Sequence, residues 1–160
     1  MRKQIIRSTS PTVPTFGSRE LNIVDLAAVL VTSETPAFPV ENIFDDRRGP
    51  GGSRWVAAEP GEQTLTIVFD APQTIQRVVL EIEEEEVERT QELQLSVSEN
   101  GGRTYDELRR QEYTFSPSGA TFEREEWSLP ARVVTHVRLW IKPDKGNRPC
   151  LATLTSLVLQ

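Results

Sequence analysis

Side chains capable of chemistry are few in this chain. It has one histidine, His136, and one cysteine, Cys150. Neither has a metal-ligand partner at zinc spacing, and no Gly-x-Ser-x-Gly elbow presents a serine for nucleophilic attack. Carboxylates are plentiful, but no pair stands out for acid–base work on a glycosidic bond. His136 is read as a structural histidine beside an inward strand, and Cys150 as a small buried side chain. The expected class is a non-catalytic binder, with no catalytic residue.

Three charged clusters could instead bind something. Asp46, Arg47 and Arg48 lie in a glycine-rich segment, Asp45 to Ser53. Lys145, Asn147 and Arg148 lie in a second loop between Pro143 and Pro149. Guanidinium and amide groups are hydrogen-bond donors suited to the oxygens of a glycan. Between these clusters in sequence runs Glu83-Glu84-Glu85-Glu86-Val87-Glu88-Arg89. A run of carboxylates does not by itself make ligands converge on a cation, so it is read as a solvated strand end. The glycine-rich segment lacks the Gly-Lys-Ser/Thr ending of a phosphate loop.

The elements that must position these loops are strands. Thr64 to Phe69 alternates strictly, placing Leu65, Ile67 and Phe69 on one face. The same period places Val78, Leu80 and Ile82 inward in Thr74–Glu83. It does so for Leu93, Leu95 and Val97 in Glu92–Ser98, and for Val137, Leu139 and Ile141 in Val133–Lys142. Leu26–Val31 can be read as a helix on its alanines. The β-branched Val29 and Val31 favour a strand in its second half. Further strands are expected through Tyr113 and Phe115, over Ala120–Ser128 with Pro130 as its stop, and over Leu151–Leu159. Asn100-Gly101 marks a tight hairpin. The count is about eight strands with turns every 8–12 residues, an all-β antiparallel β-sandwich. Residues 1–20 are expected to form a flexible arm and 21–160 the binding domain.

The most informative stretch is Val31 to Asp70. Thr32-Ser33, Pro39, Asn42, Asp45, Trp55, Gly61, Gln63, Leu65, Ile67 and Phe69 stand at the positions of a known pattern. The run Val97-Ser98-Glu99-Asn100-Gly101-Gly102-Arg103-Thr104-Tyr105 stands at another. Together they resemble the discoidin-like, galactose-binding-domain-like jelly roll (coagulation factor type C), over roughly Asp25 to Gln160. Locally, Ser33-Glu34, Pro36, Glu41-Asn42, Arg54-Trp55, Ala57-Ala58 and Gly61-Glu62 are similar to the N-terminal domain of the eukaryotic single-strand-break repair scaffolds. The resemblance implies a jelly roll with Trp55 as structural anchor and a ligand held on loops at the end away from the termini. It also brings calcium into question. Many members hold the ion with a loop Asp, matched by Asp45, and with a Glu whose place is taken here by Ser156. No cofactor is otherwise expected.

Alternating strand directions give the same location. The loops at 33–54, 84–91, 116–119 and 143–149 fall at one end of the sandwich, with Asp46, Arg47, Arg48, Lys145, Asn147 and Arg148 as its candidate ligand-binding residues. Length favours one domain that buries about 70% of its unfolded surface without disulfides. A single cysteine, and no apolar segment after the basic N-terminus, favour a cytoplasmic protein. A net charge of −6 disfavours nucleic acid as partner, and no apolar run is long enough to span a membrane. Two readings stay open: a glycan bound at the loop end, or a protein partner on an exposed patch of Trp140, Tyr113 and Arg138.

Overall fold

The structure, a computed structural model, describes residues 20–160. The expected arm lies, apart from Glu20, outside the described residues. The stretch after it uses both conformations in turn. One helical turn, α1 (Ile23–Leu26), is capped by Asn22, whose side chain accepts the Asp25 N–H. The backbone then extends at Ala27 into strand β1 (Ala27–Val31).

Seven strands follow: β2 (Trp55–Pro60), β3 (Gln63–Glu83), β4 (Arg89–Ser98), β5 (Asp106–Phe115), β6 (Phe122–Lys142), β7 (Leu151–Leu154) and β8 (Ser156–Leu159). Every pairing is antiparallel. The larger sheet runs β1-β3-β6-β4-β5, with β8 also on β3, and β2 pairs with β7.

Two strands of 21 residues, β3 and β6, shape the sandwich by bending together. Their first contact zone joins Gln63–Val68 to His136–Ile141, with β1 and β4 on either side. Their second joins Arg77–Glu83 to Phe122–Ser128, with β8 beside β3. Between the zones the register slips twice. Pro130 falls in one slip: Ser128 pairs with Arg77 and Arg132 with Ile75. Proline has no N–H to give a ladder, and at a bulge none is missed. The expectation that Pro130 ends the strand is therefore corrected; it bends the strand instead. A second correction is β2, which short spacing after Trp55 did not suggest. Thr155 likewise divides the closing segment into β7 and β8.

Every inward residue named from the alternation is buried: Leu65, Ile67, Phe69, Val78, Leu80, Ile82, Leu93, Leu95, Val97, Val137, Leu139 and Ile141. Trp55 is fully buried, donates its indole N–H to the Ser33 carbonyl (3.1 Å), and ties the 33–54 loop to the core. Tyr113 joins the core at 3% exposure, so it is no part of a surface patch. Burial pushes its hydroxyl pKa well above the ordinary tyrosine value. The second half of β3 is buried on both faces: Val78, Leu80 and Ile82 face the core, and the 45–53 loop bonds to Glu81 and Glu83 on the other side, with β8 paired along its edge. Glu81, Glu83 and Glu84 are buried with it, so the acidic run is solvated only from Glu85 to Glu88.

Candidate functional site

The 33–54 loop carries short-range bonds that fix its shape. Thr35 N–H donates to the Val56 carbonyl (2.8 Å), and Val56 N–H donates to the Phe38 carbonyl (3.1 Å). The Glu34 carboxylate accepts the Val40 N–H (2.9 Å), and the Asn42 amide donates to the Arg54 carbonyl (2.8 Å). With Val40 and Ile43 turned into the core, Phe38 is left facing out, at 39% exposure. The Arg54 guanidinium lies over its ring, 5.6 Å from the centroid.

Phe38 and Arg54 form one wall of a cleft of about 460 Å³. Glu84, Glu86, Val87 and Arg89 form another, and the Pro149–Leu151 segment closes it. Arg89 is buried and paired with Glu84 (2.9 Å), and it donates to the Leu151 carbonyl (2.5 Å). Removing one partner of so buried a pair costs about 3–5 kcal/mol, so this wall is rigid. Phe38, Val87 and Leu151, three of the large apolar side chains left exposed, meet here. A concave site with an apolar lining and a few charged groups is the ordinary build of a small-ligand site.

None of the six residues predicted to bind a ligand lines this cleft; they fall in two groups elsewhere. Arg48 forms a two-pronged pair with Glu20 (2.6 and 2.7 Å) and a longer contact with Asp46 (3.4 Å). That bonding with Arg48 holds the Glu20 carboxyl below its usual range. Asp46 and Arg48 border a hollow of about 240 Å³ against Leu157 and Val158. Asn147 and Arg148 border another, of about 290 Å³, with Pro60 and Glu62. Arg148 is paired with the buried Asp144 (2.7 Å), and Lys145 with Glu112 (2.6 Å). Hydrogen bonding from Arg148, then its backbone N–H and that of Thr90, hold the Asp144 carboxyl well below the usual range. Of the four predicted cations, Arg48, Lys145 and Arg148 thus have a carboxylate partner, and Arg47 has none among the described residues. In the sequence, Arg54 stands out only beside Trp55 in the family motif and Arg89 only as the end of the acidic run, and neither is among the six candidate ligand-binding residues.

Asp45, the candidate calcium ligand, has both carboxylate oxygens engaged within its own loop. One accepts the Arg47 N–H (3.0 Å) and the other the Ser53 hydroxyl. Among the described residues, no three His, Cys, Asp or Glu side chains come together as a metal-ligand group.

An antiparallel jelly roll with an open cleft on its loop end has the ordinary build of a ligand-binding module. Residues 28–154 match the model of the F5/8 type C domain. The chain belongs to that family, whose domains are non-catalytic binding modules. Comparison with curated protein sequences gives no match. Solved structures share the fold. One is a Clostridium perfringens module in complex with GalNAc-β-1,3-galactose (17% identity, TM-score 0.62, covering 88% of this chain and 99% of that one). Another is the family 32 carbohydrate-binding module of AlyQ with 4,5-unsaturated mannuronic acid (18%, TM-score 0.61, 89% and 98%). A third is chitosan-binding module 1 from a Paenibacillus chitosanase/glucanase (21%, TM-score 0.58, 88% and 98%). The local likeness to repair scaffolds gains no support from these comparisons.

Proposed function

We propose that this chain is a carbohydrate-binding module and that a neutral sugar residue docks in the cleft beside Phe38. The observation that carries the reading is the exposed Phe38 ring, set with Arg54 at the mouth of a cleft of about 460 Å³. A sugar presents C–H groups on one face and hydroxyls at its edge. The ring, with Val87 and Leu151, matches the first; Arg54 as donor and Glu86 as acceptor match the second. Charge selects among sugars. Glu86 lines the cleft without an ion-pair partner among the described residues, with the exposed Glu85 and Glu88 close to it in sequence, whereas Arg54 is the single cation in the cleft left without a carboxylate partner. Such a field repels a uronate. The structural neighbours that bind sugars support the reading at the level of the fold.

The test is a glycan array probed with the purified chain, F38A and R54A. Binding to neutral glycans, lost in both variants, supports the proposal. Binding that survives both, or a preference for uronates, overturns the site or its charge selectivity. The protein-partner alternative keeps Trp140 and Arg138 but loses Tyr113. Arg110 lies over the Trp140 ring (5.8 Å) and Arg138 over Tyr105 (3.7 Å), so both rings are already covered by cations.

A further inference from the structure

The 45–53 loop is closed onto β3 by two buried carboxylates. Gly49 N–H donates to Glu81 (2.8 Å), and Gly51 N–H donates to both oxygens of Glu83 (2.9 and 3.1 Å). The spacings match: residues two apart on a strand share a face, and the two glycines are also two apart. Gly49 and Gly51 reach their acceptors at positive φ (86° and 79°), which only glycine adopts cheaply. A Cβ at Gly52 would lie 3.1 Å from the Gly49 carbonyl oxygen and 3.2 Å from that of Arg47, so the loop folds tightly back on itself.

This is the loop in which a calcium ion was in question, and the residues present do not fit one. Calcium needs several oxygens turned toward a common point. Here the Asp45 oxygens receive an N–H and a hydroxyl, and the Gly49 carbonyl receives the Gly52 N–H (3.2 Å). The position of the missing Glu, Ser156, stands directly across from Glu81 in the β3–β8 ladder. Glu81 itself is turned to the Gly49 amide, with Arg124 at 3.5 Å from its other oxygen. Asp45 and Asp46 are matched in number by Arg47 and Arg48, so the loop offers a cation no net negative charge of its own. We infer that this chain closes its 45–53 loop with the Glu81–Gly49 and Glu83–Gly51 hydrogen bonds in place of a metal, so that the loop is ordered without calcium. Glu81 and Glu83 are then positioning residues: the loop they close leads directly into Arg54.

Amide hydrogen exchange of the ¹⁵N-labelled chain tests this, run in EGTA and again in excess calcium, beside equilibrium dialysis with calcium alone. The expected result is slow exchange at Gly49 and Gly51 in EGTA, unchanged by calcium, with no saturable ion uptake. Glu83→Ala should speed exchange at Gly51 by about tenfold or more, as for one lost charge-assisted hydrogen bond. Fast exchange at both amides in EGTA, or protection that appears only with calcium together with one-site uptake, would overturn the inference. The wild-type arms decide it even where the variant fails to fold.

Discussion

At the end of the sandwich formed by the 99–104 hairpin, polar groups close on one another. The Asn100 side-chain oxygen accepts the Thr104 N–H (3.0 Å) and the Ser98 hydroxyl (2.9 Å), while its amide donates to the Thr104 hydroxyl (2.7 Å). Gly101 N–H reaches Thr135, and Arg132 bridges Glu99 and Asp106. An exposed apolar side chain near it, Val133, is ordinary for a surface. The opposite end closes its floor in the same way, through Trp55, Glu84–Arg89 and Asp144–Arg148. Its rim does not close: Phe38, Val87 and Leu151 stay exposed and Arg54 has no carboxylate partner among the described residues. The difference separates stability from binding. Groups that bond one another hold the fold, and groups left without protein partners are free to meet a ligand.

The largest expected effect comes from the floor of the open end. Trp55→Ala removes a fully buried ring and its hydrogen bond, and should cost about 3–5 kcal/mol in a urea titration. A loss below about 1 kcal/mol would show that the loop end does not rest on Trp55. Next is Asp144→Asn, expected to cost about 1–2 kcal/mol near neutral pH, where the charged hydrogen bonds are lost. The carboxyl is lowered on folding, so its contribution is complete above about pH 4 and fades as pH falls below it. Wild type and variant should therefore converge in stability on acidification; curves that stay parallel would reject the Asp144–Arg148 account.

These expectations also show what was legible in the sequence. The alternation named the inward faces of β3, β4 and β6, and the motif around Trp55 named the fold, because both are local patterns. Pro130 misled because a proline stop and a proline bulge look alike until the register is known. The burial of Glu83 and Glu84 was hidden for a related reason: it depends on the 45–53 loop and on Arg89, which come to them only in the folded chain. Counting charges at one end named Arg48, Lys145 and Arg148 as ligand-binding but not their partners Glu20, Glu112 and Asp144, and none of the three lines the Phe38 cleft. Pairing is a tertiary property, and it decides which cation a ligand can use.

The smallest stability effects give the sharpest test of the comparison. Asn100→Ala should cost about 1 kcal/mol, because it leaves the hairpin's Thr104 N–H without its acceptor, and should leave glycan affinity unchanged. Phe38→Ala should do the reverse. Its ring is partly solvated and its backbone carbonyl, which accepts the Val56 N–H, is untouched by the substitution. Stability should move by less than about 0.5 kcal/mol, as for an ordinary surface change. Affinity for the best array ligand, by isothermal titration, should fall at least about tenfold, the weight of a single lost apolar contact of about 1.4 kcal/mol. If Phe38→Ala instead unfolds the loop end, the ring is part of the fold. If it alters neither quantity, the open rim is bare surface and the ligand lies elsewhere.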